Sequence, residues 1–223
     1  MSWFKNTFSS SIGRKFAMAL SALFLLVFLV QHLAINFTSV FSEKTFNGLS
    51  HFMGTNPVVQ FALQPVLLIG VLFHFIMGFV LEIKNKKARD VGYEKNNGAA
   101  NSTWSSRNMI YSGLFILLFF CFHFADFWIP EIVHKYIEVH PEDPNRYYSE
   151  MVALFANPLR VAVYTLAFIF LGLHLQHGFQ SAFQSMGARH NKYTPTIEKL
   201  GKVYSFLVPA LYIFIAIYHY LSF

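Results

Sequence analysis

Five histidines stand inside long apolar runs of this 223-residue chain: His32, His74, His123 and the pair His174 and His177. A neutral imidazole held away from water can ligate a metal, donate one hydrogen bond while accepting another, or pass a proton along. An ionisable side chain at membrane depth is costly enough to be read first as functional. His51, His134, His140 and His190 fall in connecting segments, and His219 falls near the end of the last apolar run, where an interfacial position is cheap. Cys121 is the single cysteine, so neither an internal disulfide nor a cysteine-ligated zinc or iron–sulfur site is available.

The elements carrying these histidines follow from composition. With 55% hydrophobic, 18% aromatic and 13% charged residues, the chain has too little polar material to cover a soluble domain. A bilayer core about 30 Å thick needs roughly 20 mainly apolar residues per helix. Five segments qualify, at about 16–40, 58–83, 108–130, 158–181 and 203–221. The fold class expected is therefore an all-α integral membrane protein, a single domain over 1–223, with a four-helix bundle plus a fifth helix. The first run follows Lys5, Arg14 and Lys15 as a signal peptide would, but it is too long and lacks a small-residue cleavage site, so it reads as a retained span. Pro57 and Pro158 suit helix starts, with Asn56 and Asn157 as caps before them. No connecting segment exceeds about 30 residues, well short of a soluble domain.

Basic residues set the expected orientation. Lys5, Arg14, Lys15, the cluster Lys84 to Arg107, and Arg189, Lys192, Lys199 and Lys202 share one side. Most acids lie on the other side, with only Lys44, Lys135, Arg146 and Arg160 as cations. The positive-inside rule then puts the N-terminus in the cytoplasm and the C-terminus outside. The net charge of +6 is a product of topology and not a nucleic-acid footprint.

Depth sorts the histidines into two layers. At 1.5 Å per residue, His32 lies roughly 25 Å along its helix from Lys15 and His123 roughly 24 Å from Arg107, an outer level. His74 lies about 15 Å from Lys84 and His177 about 18 Å from Arg189, an inner level. Two pairs at two depths, each drawn from different helices, is what two stacked b-type haems require, because a low-spin haem iron takes one axial imidazole on each face. Arg14, Ser21 and His32 recur 7 and 11 residues apart, within about 20° of one helical stripe that Asn36 extends. Gly70 and Gly78 flank His74 at four-residue spacing, which would leave room for a porphyrin. Ser112 and His123 share a face of the third helix, with Phe119 and Phe120 nearby. His174 and His177 lie about 60° apart on adjacent turns, so periodicity leaves both open, and depth together with Gly178 favours His177. A histidine-based proton-coupled transporter is the alternative from another class, but internal repeats and broken helices are not evident.

These segments resemble a known family, the five-helix dihaem cytochrome b anchors of succinate dehydrogenase and fumarate reductase, the succinate:quinone oxidoreductases. The likeness rests on SSIGRKFAMALSALFLLVFLVQHLAINF, FNGLSHFMGTNP, His74, His123 and LGLHLQHGFQSAFQSMG, and is nearest to the b558-type single-subunit anchors. The resemblance implies His32 with His123 at the outer haem and His74 with His177 at the inner one, the His177-Gly178 step matching the family's fourth-helix motif. It also implies a flavoprotein and an iron–sulfur subunit as partners, quinone, chiefly menaquinone, as substrate, and a bacterial cytoplasmic membrane. Some fumarate reductase relatives carry a glutamate two residues before that histidine, where this chain has Leu175, so a proton path of that kind is not expected. Arg14 is the candidate for an inner propionate. Asn36, His51 and Asp126, with Asn47 and Glu131, are the polar groups available to a quinone at the outer level, and a carboxyl at the apolar end of a helix would favour its protonated form. The alternative from the same chemistry is the cytochrome b anchor of a hydrogenase, formate dehydrogenase or nitrate reductase.

Overall fold

A computed structural model describes residues 10–87 and 104–222. Among the described residues the chain is helical, with no strand. Five helices are long and apolar enough to cross a membrane: Ser11–Val40, Val59–Lys87, Met109–Ile137, Pro158–Ser185 and Thr194–Leu221. Their regular parts are α1 (Ser11–Phe37), α3 (Gln64–Lys87), α4 (Met109–His123), α6 (Pro158–Ser185) and α7 (Thr194–Leu221). Two shorter helices, α2 (Glu43–Thr55) and α5 (Arg146–Phe155), lie together at one end of the bundle. That end, where α1 finishes and α7 finishes, is called the far end below; the end where α1 begins is the near end. Lys5, Arg89 and Lys95, in 1–9 and 88–103, lie outside the described residues.

Caps and prolines define the helix starts. Asn157 Oδ1 accepts from the N–H groups of Leu159 and Arg160, and Asn56 Oδ1 from those of Val58 and Val59, as the Asn-Pro steps predict. The third span runs through Pro130 to Ile137 instead of stopping there. The reason is a widened π-helical turn, Phe124–Trp128, ending two residues before the proline. A proline ring clashes with the carbonyl four residues earlier, and the wider turn moves that carbonyl, of Asp126, aside. The second span repeats the device, with a π-helical turn at Val59–Leu63 ahead of Pro65.

The fifth span begins at Thr194, well before the expected 203, because its first two turns are amphipathic and escape a hydropathy reading. Pro209 sits inside it and cannot donate to the Ser205 carbonyl. That carbonyl lies against Gly172 of α6, where a Cβ would approach it to 3.1 Å, so the glycine lets the two helices close over the kink. α7 is also tied to α1: Tyr204 donates to the Leu26 carbonyl (2.6 Å) and Tyr212 to the Leu29 carbonyl (3.0 Å). His219, expected at the interface, is wholly buried, its Nε2 2.8 Å from Ser39 Oγ.

The apolar core sits toward the far end, where Leu33, Phe46, Met151, Phe155, Tyr164, Phe168 and Tyr212 pack together. Asn47, 2% exposed, joins α2 to α5 by donating to the Asn145 carbonyl (3.0 Å) and accepting from the Tyr148 N–H (2.7 Å). Outward-facing Val27, Phe61, Ile69 and Phe206 are exposed, as a lipid-facing surface requires.

Candidate functional site

Two imidazole pairs lie on the bundle interior. At the near level His74 of α3 meets His174 of α6, with ring centroids 6.3 Å apart and planes at 70°. At the far level His32 of α1 meets His123 of α4, at 5.8 Å and 83°. Ser21, beside His74, is eleven residues before His32 on α1, which separates the two levels by roughly 16 Å along the bundle. All four helices contribute one ring each. The ring that meets His74 is that of His174, the alternative from the sequence reading, and not that of His177, which lies half-buried one turn further on.

The near pair is held by hydroxyls. Ser21 Oγ lies 3.1 Å from His74 Nδ1 and donates to the Met18 carbonyl at 2.8 Å. Ser112 Oγ lies 3.2 Å from His174 Nδ1 and donates to the Met109 carbonyl at 2.9 Å. The His174 ring packs over Gly113, where a Cβ would stand 3.6 Å from its Cε1 in ordinary van der Waals contact. A Cβ at Gly70 would meet the Phe24 ring at 3.1 Å, whereas one at Gly78 would stand 3.7 Å from the Met18 methyl and one at Gly178 3.4 Å from the Met109 methyl, both ordinary van der Waals contacts.

The far pair is held by aromatic faces. Phe28 stacks on His32 (5.3 Å, 19°) and Phe119 on His123 (5.6 Å, 21°), with Tyr212, Phe127 and Tyr164 completing the collar. His123 Nδ1 is buried without a hydrogen-bond partner among the described residues. Beside this pair, Asp126 forms an ion pair across helices. Its carboxylate, 4% exposed, stands 3.1 Å from Arg160 Nη1 and accepts from the Tyr164 hydroxyl at 2.8 Å. Arg160 and Tyr164 come from a different helix, so their contact with Asp126 is set by how the two helices pack.

The remaining candidates are scattered. Arg14 is half-buried at the near end of α1. The Asn36 amide folds back to donate to the His32 carbonyl (2.8 Å). His51 stands at the far surface, 3.9 Å from Glu142 and with its ring 6.2 Å from Tyr147. Glu131 is engaged by Lys135 and Arg146, and burial, with the Glu131 charge, pushes the Tyr147 hydroxyl up to about 12. A cleft of about 220 Å³ opens at the far end between Gln60, Gln64, Trp128, Lys135 and Tyr136. It escaped the sequence reading because the π-helical turns that aim Gln60 and Trp128 into it leave no hydropathy signal.

The donor set fits a haem iron. Two imidazoles bound from opposite sides at roughly 2 Å per metal–nitrogen bond have ring centres about 6 Å apart, close to both separations seen here. Among the described residues no cluster of three or more His, Cys, Asp or Glu side chains could hold a metal ion. Fold and site together define a five-span, multi-pass membrane protein with two stacked imidazole pairs in its interior. Comparison with family models, with characterised proteins and with solved structures returns no match for this chain.

Proposed function

We propose that this chain is the membrane anchor and electron-transfer subunit of a succinate:quinone oxidoreductase, binding two b-type haems through His32 with His123 and His74 with His174. The observation that carries the reading is the paired geometry: four helices each supply one ring, at two levels, with centroids 5.8 and 6.3 Å apart. A b haem with two imidazole ligands, when bound, supplies a one-electron carrier that keeps its ligands in both oxidation states. The chain's own residues bind and orient it. Ser21 and Ser112 fix the near rings, Phe28 and Phe119 fix the far rings, and the aromatic collar keeps water from the far pair.

In this reading the near end faces the cytoplasm, because the basic residues collect there, and an iron–sulfur subunit joined to a flavoprotein docks against it. Arg14 lies at the level where an inner propionate would need a cation. (Mena)quinone meets the protein at the far end, where Asn36, His51 and the Asp126, Arg160 and Tyr164 cluster offer hydrogen bonds. The protein is then one subunit of an enzyme of a bacterial cytoplasmic membrane, without a flavin of its own.

The test is the reduced-minus-oxidised spectrum and haem content of the purified complex. A b-type α-band and co-purification with flavin-bearing and iron–sulfur subunits are expected. Co-purification with a hydrogenase or formate dehydrogenase subunit instead would reassign the anchor, and a colourless preparation would remove the cytochrome reading altogether.

A further inference from the structure

We infer that Ser21 and Ser112 are positioning residues that lock His74 and His174 in one tautomer, with the proton on Nδ1 and a bare Nε2 presented by each ring. The inference deepens the proposed haem reading and rests on it for the identity of what the bare nitrogens hold.

Each serine hydroxyl carries one proton. Each hydroxyl gives its hydrogen to the carbonyl three residues back, Met18 at 2.8 Å and Met109 at 2.9 Å. What each oxygen has left for the neighbouring ring is a lone pair. With the hydroxyl protons on those carbonyls, the ring nitrogens facing the oxygens, His74 Nδ1 at 3.1 Å and His174 Nδ1 at 3.2 Å, are the donors. A neutral imidazole has a single N–H, so Nε2 in both rings is an unprotonated acceptor. Neither serine sits on the helix of the histidine it serves: α1 orients a ring of α3, and α4 orients a ring of α6.

The consequence separates the two chemistries open to this pair. A histidine-to-histidine hydrogen bond, as a proton relay would use, needs one Nε2–H between the rings, and the serines remove it from both. Two rings that each present an acceptor cannot bond to one another, and an electrophile placed between them joins them. A metal ion is such an electrophile, and a ligating histidine that donates its other N–H is a more basic ligand in a fixed orientation. The far pair has no matching device, since His123 Nδ1 has no partner among the described residues.

The experiment is a redox titration of the purified complex carrying Ser21→Ala or Ser112→Ala, with the near component assigned by its loss in His74→Ala. Losing the hydrogen bond makes the ligand less basic and disfavours the ferric state. The near midpoint should therefore rise, lowering the ferric-to-ferrous ratio at a fixed potential by about tenfold, or about 59 mV for one electron. Both haems should be retained and the far midpoint should not move. Ser21→Thr and Ser112→Thr keep the hydroxyl and should restore the parental midpoint. Ser21→Cys, with a weaker acceptor of similar size, should shift it in the same direction by less, which keeps the test open if an alanine variant fails to assemble. Unchanged near midpoints in the alanine or cysteine variants, or a shift confined to the far component, would overturn the inference. If His74→Ala and His174→Ala each remove one haem while the serine variants are silent, only the tautomer lock fails. If the histidine variants remove none, the haem reading fails and the inference with it.

Discussion

His74 and His174 are oriented by hydroxyls from two other helices, whereas His32 and His123 are oriented by phenylalanine faces on their own helices. The two means of support control different things. A hydrogen bond to Nδ1 chooses the tautomer and tunes how strongly the opposite nitrogen donates. A stacked ring fixes the plane of the imidazole and excludes water but leaves the proton's place undecided. Two pairs of the same residue type, roughly 16 Å apart in one bundle, are thus built to respond to different perturbations.

The largest effect that would break this comparison is loss of a ligand. His174→Ala should remove one haem and leave the far component's signal intact, and His123→Ala should do the reverse; simultaneous loss of both from either variant would mean that the levels are not independent. Removing an aromatic support comes next. Phe119→Ala should destabilise the protein by about 3 kcal/mol, read as a lowered Tm in detergent, and should broaden or deplete the far component without moving the near midpoint. Asp126→Asn leaves Arg160 without its countercharge beside the far pair, at a cost of about 2 kcal/mol given that Arg160 is partly exposed, and should again alter only the far component. Smallest is Tyr212→Phe, which removes one hydrogen bond to the Leu29 carbonyl while keeping the ring near His32. About 1 kcal/mol is expected from thermal unfolding, with both midpoints unchanged.

Hydropathy made the five spans legible, because about 20 apolar residues are needed wherever a helix crosses lipid. The amphipathic α2 and α5 were not legible. Their signals are short: Ser42 capping Thr45 for α2, and Arg146 pairing Glu150 four residues on for α5, with Phe46 of α2 and Met151 and Phe155 of α5 turned into the core. Pro130 read as an end because a proline normally stops a helix, and only the π-helical turn before it lets the span continue. His219 read as interfacial by its position in the run, while its burial depends on Ser39, 180 residues away.

The candidate site divides the same way. That four helices would each offer a histidine, in two layers, follows from depth arithmetic along each helix. Which residue of α6 faces inward at the near level does not, since His174 and His177 are three residues apart and their depths overlap. The choice depends on α4, where Ser112 Oγ lies 3.2 Å from the His174 Nδ1. The Asp126 and Arg160 pair was hidden for the same reason, because it needs the rotation of α4 against α6 as well as the positions of both residues.

The central claim is that two bis-imidazole haems are bound, the near one through His174. Haem content per chain, measured on the purified complex and its His174→Ala and His177→Ala variants, tests it most directly. Two haems in the parent, one in His174→Ala and two in His177→Ala are predicted. No b-type absorption in the parent, or full haem content in His174→Ala, would contradict it.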